Sequence, residues 1–239
     1  MKRIFIFLLS CMVSWSGASV IFASSPGNPL GMVGAGRLAI SAEWDQDNRD
    51  LELDADSEVT SNRYWLKGTY GLTDWLDVSG AAGFVDFDVS SLGTRSSSYE
   101  SDHMTFCFQG GFKLRPFCHE EKKLSAFLTA HGSHLQAKEF VGSVRPEKLS
   151  WNEFQMAVSV AKKYGFAFPY VGVLYSLVDG ELMLAGGDGP DFQDPGALAF
   201  AGIDFSLPSR YALTFEVRGR LGGDTDEISF SIGLSQRTE

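Results

Sequence analysis

The sequence lacks several features that would place it in common protein classes. It has no long apolar run beyond its N-terminal stretch, and its mean hydropathy is −0.04. Together these exclude a bundle of transmembrane helices. Basic residues are outnumbered, with 20 Lys and Arg against 30 Asp and Glu. A net charge of −10 argues against nucleic acid as a partner. No amphipathic helix is evident after residue 30.

Cysteine is also scarce, with 3 in the chain. Cys11 lies in the N-terminal apolar stretch, which leaves Cys107 and Cys118. An extended strand over residues 107–114 would separate these two by about 20 Å, which is beyond the reach of a disulfide. We therefore predict no disulfide between them.

The N-terminus has the pattern of a secretion signal. Lys2 and Arg3 precede the apolar stretch, and Ala23 is a small residue suited to cleavage. We predict a signal peptide over residues 1–23 and a short N-terminal segment over 24–31. Two alternatives are a single anchoring helix and a lipoprotein modified at Cys11.

Residues 32–236 contain about ten stretches in which apolar residues occupy every second position, as in strands with one apolar face. "YGLTDWLDVSGAAGF" (70–84) shows two of them around a turn. Short connections alternate with long ones at 45–58, 86–102, 137–148 and 179–194, so the long ones gather at one end. Aromatic residues precede the short turns and predict a belt at the other end, formed by Tyr70, Phe112, Tyr164 and Phe205.

These features predict an all-β fold, an up-and-down antiparallel transmembrane β-barrel of about ten strands, with eight or twelve as alternatives. A soluble β-sandwich or lipocalin-like barrel would alternate too, with its apolar face inward. Secretion, repeated charge on the less apolar face and an aromatic rim favour apolar residues facing lipid and charged residues facing the lumen.

"YGLTDWLDVSGAAGF" and "FSLPSRYALTFEVRGR" resemble the periplasmic hairpins of small bacterial outer-membrane β-barrels, the class that includes outer-membrane protein A and opacity-like proteins. The resemblance implies location in a bacterial outer membrane. It also implies contact with outer-membrane lipid and lipopolysaccharide, and folding by the barrel assembly machinery. The chain departs from the class at its end, "ISFSIGLSQRTE", where a polar tail replaces the usual final aromatic residue.

The charged face predicts a polar lumen. Its expected lining residues are Arg37, Glu43, Arg63, Lys67, Asp77, Lys113, Arg115, Glu153, Asp204, Glu216, Arg218 and Arg220. Opposite charges in a narrow lumen would pair and fill it. A barrel of about ten strands is only slightly wider than the eight-stranded kind that side chains fill. A blocked lumen is the expectation, and a small pore is the alternative.

Acidic residues concentrate in two of the expected extracellular loops. Residues 45–58 have seven acids and Arg49, and residues 179–194 have five acids. A solvated, repulsive surface accounts for both. "GGDGPDFQD" (186–194) also fits the first six positions of the calcium nonapeptide repeat. It offers Asp188, Asp191 and Asp194 as Ca²⁺ ligands. No other cofactor is indicated.

Enzymatic signals are sparse. "DFD" (Asp86, Asp88) resembles the Asp pair of omptin proteases, but no Asp-x-His follows it. "HGSH" offers His131 and Ser133 on an inward face, where strand pairing would bring His131 near Cys107 and near Glu153 or Gln155. Cys, His and an acid placed together in this way could form a nucleophilic catalytic group. A hydrogen-bonded His beside a small thiol explains the same residues without catalysis.

The expected function is therefore that of a structural or adhesive outer-membrane barrel with acidic extracellular loops, no enzymatic activity and an unidentified extracellular ligand. A narrow porin for small solutes is one alternative. A barrel enzyme acting on lipid A or surface peptides is the other.

Overall fold

The computed structural model describes residues 32–53, 55–90, 99–101, 104–138, 140–141, 146–184, 191–208, 211–222 and 228–237. These residues form twelve strands. The strands are β1 (Leu38–Leu53), β2 (Ala55–Gly71), β3 (Leu76–Ser90), β4 (Tyr99–Ser101), β5 (Thr105–His119), β6 (Leu124–Lys138), β7 (Phe140–Val141), β8 (Pro146–Lys162), β9 (Ala167–Leu184), β10 (Asp191–Ser206), β11 (Tyr211–Arg220) and β12 (Ile228–Arg237).

Ten long strands close into one antiparallel barrel. Each pairs with the next long strand along the chain, and β12 returns to pair with β1. The remaining two strands, β4 and β7, are short and extend the sheet beyond β3. The prediction of an all-β barrel of about ten strands is confirmed. Because the barrel is closed, no long edge strand is left unpaired.

The two ends of the barrel differ in their connections. At one end, here called the turn end, four connections of four residues each join the long strands, and β1 begins and β12 ends there. Most of the opposite end, here called the loop end, has longer connections. The resemblance to outer-membrane barrels predicts that the turn end faces the periplasm and the loop end faces outward.

The outward face of the barrel is apolar. Large side chains on many strands are about half exposed, among them Phe108 (54%), Val158 (51%) and Val173 (54%). A soluble sandwich or lipocalin-like barrel would bury these side chains, so that alternative is wrong. At the turn end the expected aromatic residues Tyr70, Phe112 and Tyr164 are exposed. Phe205 is partly buried and stacks on Phe166 with ring centroids 6.0 Å apart.

The prediction of an acidic loop over residues 45–58 is wrong. Strand β1 continues to Leu53 and β2 begins at Ala55, in unbroken register from Leu38 opposite Tyr70 to Leu53 opposite Ala55. Likewise, β9 and β10 take up most of the predicted loop 179–194. Three of the acidic residues in these strands, Asp45, Asp47 and Asp194, point inward and pair with Arg side chains.

A short segment ahead of β1 enters the turn end of the barrel. Met32 and Val33 are buried, and the Val33 amide donates to the Asp77 carboxylate at 2.9 Å. The segment passes so close to β2 that a Cβ on Gly71 would lie 2.0 Å from the Gly34 carbonyl oxygen. Glycine at position 71 is therefore required by the space available.

The predicted signal peptide over 1–23 and segment 24–31 lie outside the described residues, so these boundaries stay predictions. Among the residues described, no helix is long and apolar enough to cross a membrane.

Candidate functional site

The centre of the lumen is occupied by a buried ionic network. Arg49 donates to Asp47 at 2.7 Å, and Arg63 donates to Asp47 at 2.8 Å and to Glu153 at 2.7 Å. Arg49 also pairs with Glu153. These four side chains come from β1, β2 and β8, and each is at most 6% exposed. Two guanidinium groups thus share two carboxylates across the barrel.

Polar side chains complete the hydrogen bonding of the two carboxylates. Asp47 accepts from the Ser229 hydroxyl at 2.7 Å. Glu153 accepts from the Ser176 hydroxyl at 3.1 Å and from the Gln155 amide. Buried charges are tolerated when their remaining donors and acceptors are satisfied. This network meets that condition by drawing partners from β8, β9 and β12.

The network reaches the barrel wall on two sides. Arg218 pairs with Asp45 at 3.2 Å and with Glu216 at 2.8 Å, and the Tyr170 hydroxyl donates to Glu216 at 2.9 Å. Toward the loop end, Asp194 bridges Arg220 at 2.8 Å and Arg49 at 3.3 Å. The ion pairs therefore connect strands on opposite sides of the lumen.

Apolar clusters cover the ionic layer from both ends. At the loop end, a cluster from seven strands includes Val59, Phe87, Leu135, Trp151 and Phe192. The guanidinium of Arg63 lies 5.5 Å from the centroid of the Trp151 ring, where a cation–π contact joins the two layers.

At the turn end, a second cluster is formed by Met32, Phe127, Tyr170, Leu174 and Phe200 with three further side chains. Met32 comes from the segment ahead of β1, so that segment contributes to the filling of the lumen.

Glycines on neighbouring strands make room for these aromatic side chains. Phe200 lies opposite Gly172, and Phe192 lies opposite Gly180. In both pairs a Cβ on the glycine would lie 2.3 Å from the phenyl ring. The missing Cβ lets each ring lie flat across the neighbouring strand inside the lumen.

The remaining space in the ionic layer is small. A cavity of about 20 Å³ is lined by Glu43, Lys67, Gln109, His131 and Ser133 with six further residues. That volume accommodates about one water molecule. At this level the lumen is a packed polar core.

Most residues predicted to line the lumen lie inside it. Side chains buried there are Glu43, Arg63, Asp77, Glu153, Asp204, Glu216 and Arg218. Half-buried on inward positions are Lys67, Lys113 and Arg220. Arg115 lies at the turn end, where it donates to the Asp74 carbonyl at 2.8 Å. Arg37 is a correction: it precedes β1 and its side chain is exposed, because the strand alternation begins only at Leu38.

The candidate catalytic residues do not form a catalytic group. Cys107 is fully buried in the loop-end apolar cluster, whereas His131 is hydrogen-bonded to Gln155 at 2.8 Å. Glu153 is committed to Arg49 and Arg63. Ser133 borders the 20 Å³ cavity. These positions leave no room for a substrate at His131.

Two of the three candidate calcium ligands, Asp191 and Asp194, lie on opposite faces of β10. Asp194 points inward and pairs with Arg220 and Arg49, whereas Asp191 is exposed on the outer face. Asp188 lies outside the described residues. Within the described ranges no group of three or more His, Cys, Asp or Glu could hold a metal ion. Calcium binding at this loop stays a prediction.

Sequence reasoning missed Asp45, Asp47 and Arg49, which it assigned to a solvated loop. The sequence signal that could have identified them is their spacing at every second residue. These residues continue the every-second-residue series that begins with Ala39, Ser41 and Glu43 on the inward face of β1.

Comparisons with known proteins support the fold. No family model and no curated protein matches the chain. Among solved structures, it is similar to the translocator domain of the autotransporter NalP from Neisseria meningitidis. The TM-score is 0.52 at 12% identity, over 86% of this chain and 89% of that one.

Two further outer-membrane proteins show weaker likeness. An outer membrane channel from Pseudomonas putida F1 gives a TM-score of 0.46 at 15% identity, over 90% of this chain and 100% of that one. A loop L8 deletion mutant of OmpT, an outer membrane protein of Vibrio cholerae, gives a TM-score of 0.25 at 11% identity, over 85% of this chain and 100% of that one. At those TM-scores neither likeness bears on the fold of this chain.

A closed barrel with an apolar exterior and a polar interior is stable only where its outer face meets lipid. The chain therefore has the fold of an outer-membrane β-barrel, as its resemblance to that class predicted.

Proposed function

We propose that this barrel is closed to solutes and has a structural or adhesive role, acting through the surface it presents outside the cell. The observation that carries the proposal is the filled lumen. An ionic layer, covered by apolar clusters at both ends, leaves a void of about 20 Å³. A porin would need a continuous aqueous path through this layer.

The two alternatives have less support. A narrow porin would require the Arg49, Arg63 and Glu153 pairs to separate, which would leave buried charges without partners. An enzyme would require a free base beside His131, whereas Glu153 is occupied by two guanidinium groups. Neither alternative explains why acidic residues accumulate at the loop end.

The loop end presents outward acids just above the apolar belt. Asp179 and Asp191 are exposed, and Glu181 is half exposed. Glu181 lies directly opposite Asp191 on the neighbouring strand. Like charges in that position destabilise a sheet, so a binding role is a reason for the chain to keep them. Asp86 and Asp88 add to this surface on β3.

A cationic partner suits this acidic surface. The partner would be a basic patch on another protein, or divalent ions that bridge these carboxylates to lipopolysaccharide phosphates. Electrostatic attraction of this kind weakens as salt screens the charges.

Adhesion of intact cells to a polylysine-coated surface tests the proposal. Cells that make the full chain should adhere more than cells that lack it, and added salt should reduce the difference. Replacing the outward acids by amides should remove it, in the variant Asp86→Asn, Asp88→Asn, Asp179→Asn, Glu181→Gln and Asp191→Asn. The matched control neutralises three acids at the turn end, Asp74→Asn, Glu120→Gln and Glu121→Gln, and should adhere like the unaltered protein.

Equal adhesion with and without the protein would overturn the adhesive role. Uptake of a small sugar into proteoliposomes would instead favour the porin. A change in lipid A mass, or cleavage of a reporter peptide, that is lost in His131→Ala would favour the enzyme.

A further inference from the structure

A vestibule of about 430 Å³ lies at the turn end of the barrel. It lies between the β5–β6 turn, the β8–β9 turn and the segment ahead of β1. Met32, Phe127 and Phe168 form its apolar floor. Its volume falls within the range of small-molecule sites. Neither the ionic network nor the outer acidic surface uses this space.

The walls of the vestibule are basic. Arg115, Lys123 and Lys163 line it, and the sole acid among the described lining residues is Glu120. Three cations and one anion give the walls a net charge of +2. An organic anion of charge −2 with a small apolar part would match both the walls and the floor.

Two of the three cations are held in position. A terminal nitrogen of Arg115 donates to the Asp74 carbonyl at 2.8 Å, which uses one of the five donors of the guanidinium. The ammonium of Lys163 lies 5.2 Å from the centroid of the Phe168 ring. Such positioning reduces the entropy lost when an anion binds.

The third cation, Lys123, occupies a strained backbone position. Its φ is 53°, and among the described residues it is the one residue other than glycine with positive φ. Its carbonyl accepts from the Lys163 amide at 2.9 Å, which ties the two turns together. Glycine would adopt this conformation without strain. Strained residues of this kind cluster at functional sites, which is a reason for the chain to keep a charged side chain here.

We propose that the vestibule is a periplasmic binding site for a small organic phosphate. A phosphate ester is a dianion near neutral pH, and Arg and Lys are the side chains that recognise phosphate best. The apolar floor would contact the carbon part of the ligand. This inference goes beyond the role proposed for the outer surface and does not rest on it.

The protein carries its own reporter for this site. Cys118 lines the vestibule and is an exposed free thiol, whereas Cys107 is buried. The rate at which N-ethylmaleimide, a neutral reagent, modifies Cys118 should fall when a ligand occupies the vestibule. In a chain that carries Cys11→Ser, the further change Cys118→Ser should abolish the labelling and thereby identify the reporting thiol.

Phenyl phosphate is the probe, used with the full chain in detergent micelles. At ten times its dissociation constant it should slow the modification of Cys118 about tenfold by mass action. Benzoate, with one charge, should protect at higher concentrations only, and phenol should not protect. Equal protection by benzoate and phenyl phosphate, or no protection by either, would overturn the phosphate site.

Variants separate binding from folding. Lys123→Gly should weaken protection at least tenfold while the heat-unfolding midpoint stays the same or rises, because the backbone strain is relieved. Lys163→Gln should also weaken protection. The matched control is Lys122→Gln, which removes a neighbouring charge that does not line the vestibule and should leave protection unchanged. If Lys122→Gln weakens protection as much as Lys123→Gly, the effect is general electrostatics and the site is refuted.

A lipid headgroup is the other source of phosphate in this location. Protection that appears in phosphatidylglycerol vesicles but not with soluble phenyl phosphate would assign the vestibule to a membrane lipid and overturn the proposal of a soluble ligand.

Discussion

The inner and outer faces of the same strands are built on different principles. Along β8, the inward residues Trp151, Glu153 and Gln155 are buried, whereas the outward residues Phe154 and Met156 are more than 40% exposed. Glu153 and Gln155 are hydrogen-bonded to each other, and the Trp151 ring packs edge-on against Phe87. Neighbours one residue apart therefore meet different surroundings. The outer face needs only to be apolar, because lipid chains adapt to its shape. The inner face needs particular partners at particular positions.

This difference fixes the register of every strand. A shift by one residue would move ionised side chains into lipid and apolar side chains into the ionic layer. The two faces together therefore exclude shifted strand registers. Substitutions at matched inner and outer positions should show the asymmetry directly.

The largest effect is expected at Glu153. Glu153→Ala would leave Arg49 and Arg63 buried with one carboxylate partner fewer, at a cost of about 3–5 kcal/mol. Urea unfolding in phospholipid vesicles, followed by tryptophan fluorescence, measures the loss. The matched outer control is Asp179→Ala at the exposed rim, which should change stability by no more than about 0.5 kcal/mol. Equal losses would mean that the ionic network does not stabilise the fold.

A lysine placed on the outer face should have the next largest effect. Phe108→Lys introduces an ammonium into the apolar outer face of β5, away from the aromatic rim, at a cost of about 2–4 kcal/mol. Gln109→Lys on the same strand faces the cavity that Glu43, Asp45 and Glu153 also line, so its cost should be smaller. The yield of heat-modifiable folded protein on gels measures the effect of both substitutions. A greater loss for Gln109→Lys would reverse the assignment of faces on this strand.

Adding one methyl group should have the smallest effect. In Gly172→Ala, the new Cβ would lie 2.3 Å from the Val158 carbonyl oxygen and from the Phe200 ring, so a loss of about 1–3 kcal/mol is expected from overpacking. Gly80→Ala on the outer face meets nothing nearer than 4.0 Å. It should be neutral or stabilise by about 0.5–1 kcal/mol, since alanine loses less backbone entropy. The same unfolding assay checks whether the two substitutions differ in sign.

The outer face could be predicted from the sequence because its signal is strong. Apolar residues at every second position mark the long strands and the direction each side chain points. The charged partners between them also identify much of the lumen, including Glu153, Glu216 and Arg218.

The ionic centre was harder to predict because the difference in polarity between the inward and outward residues disappears there. In β1 beyond Trp44, the inward residues Asp45, Asp47 and Arg49 alternate with the polar outward residues Gln46 and Asn48. Polar residues on both faces look like a solvated loop, and the strand is recognised only when its partners are known.

Those partners are distant in sequence. Glu153 lies 104 residues from Arg49 and 90 from Arg63, and no local pattern predicts such pairs. The same holds for the Gly172–Phe200 packing, which depends on the register between β9 and β10.

The central claim is that the packed ionic layer closes the lumen, and conductance across a planar lipid bilayer tests it most directly. The full chain, shown to be folded by its heat-modifiable mobility on gels, is inserted and a voltage is applied in concentrated KCl. We expect no unitary current steps, because the ionic layer leaves space for about one water molecule. Reproducible steps of uniform size from the unaltered protein would show an open path and contradict the account.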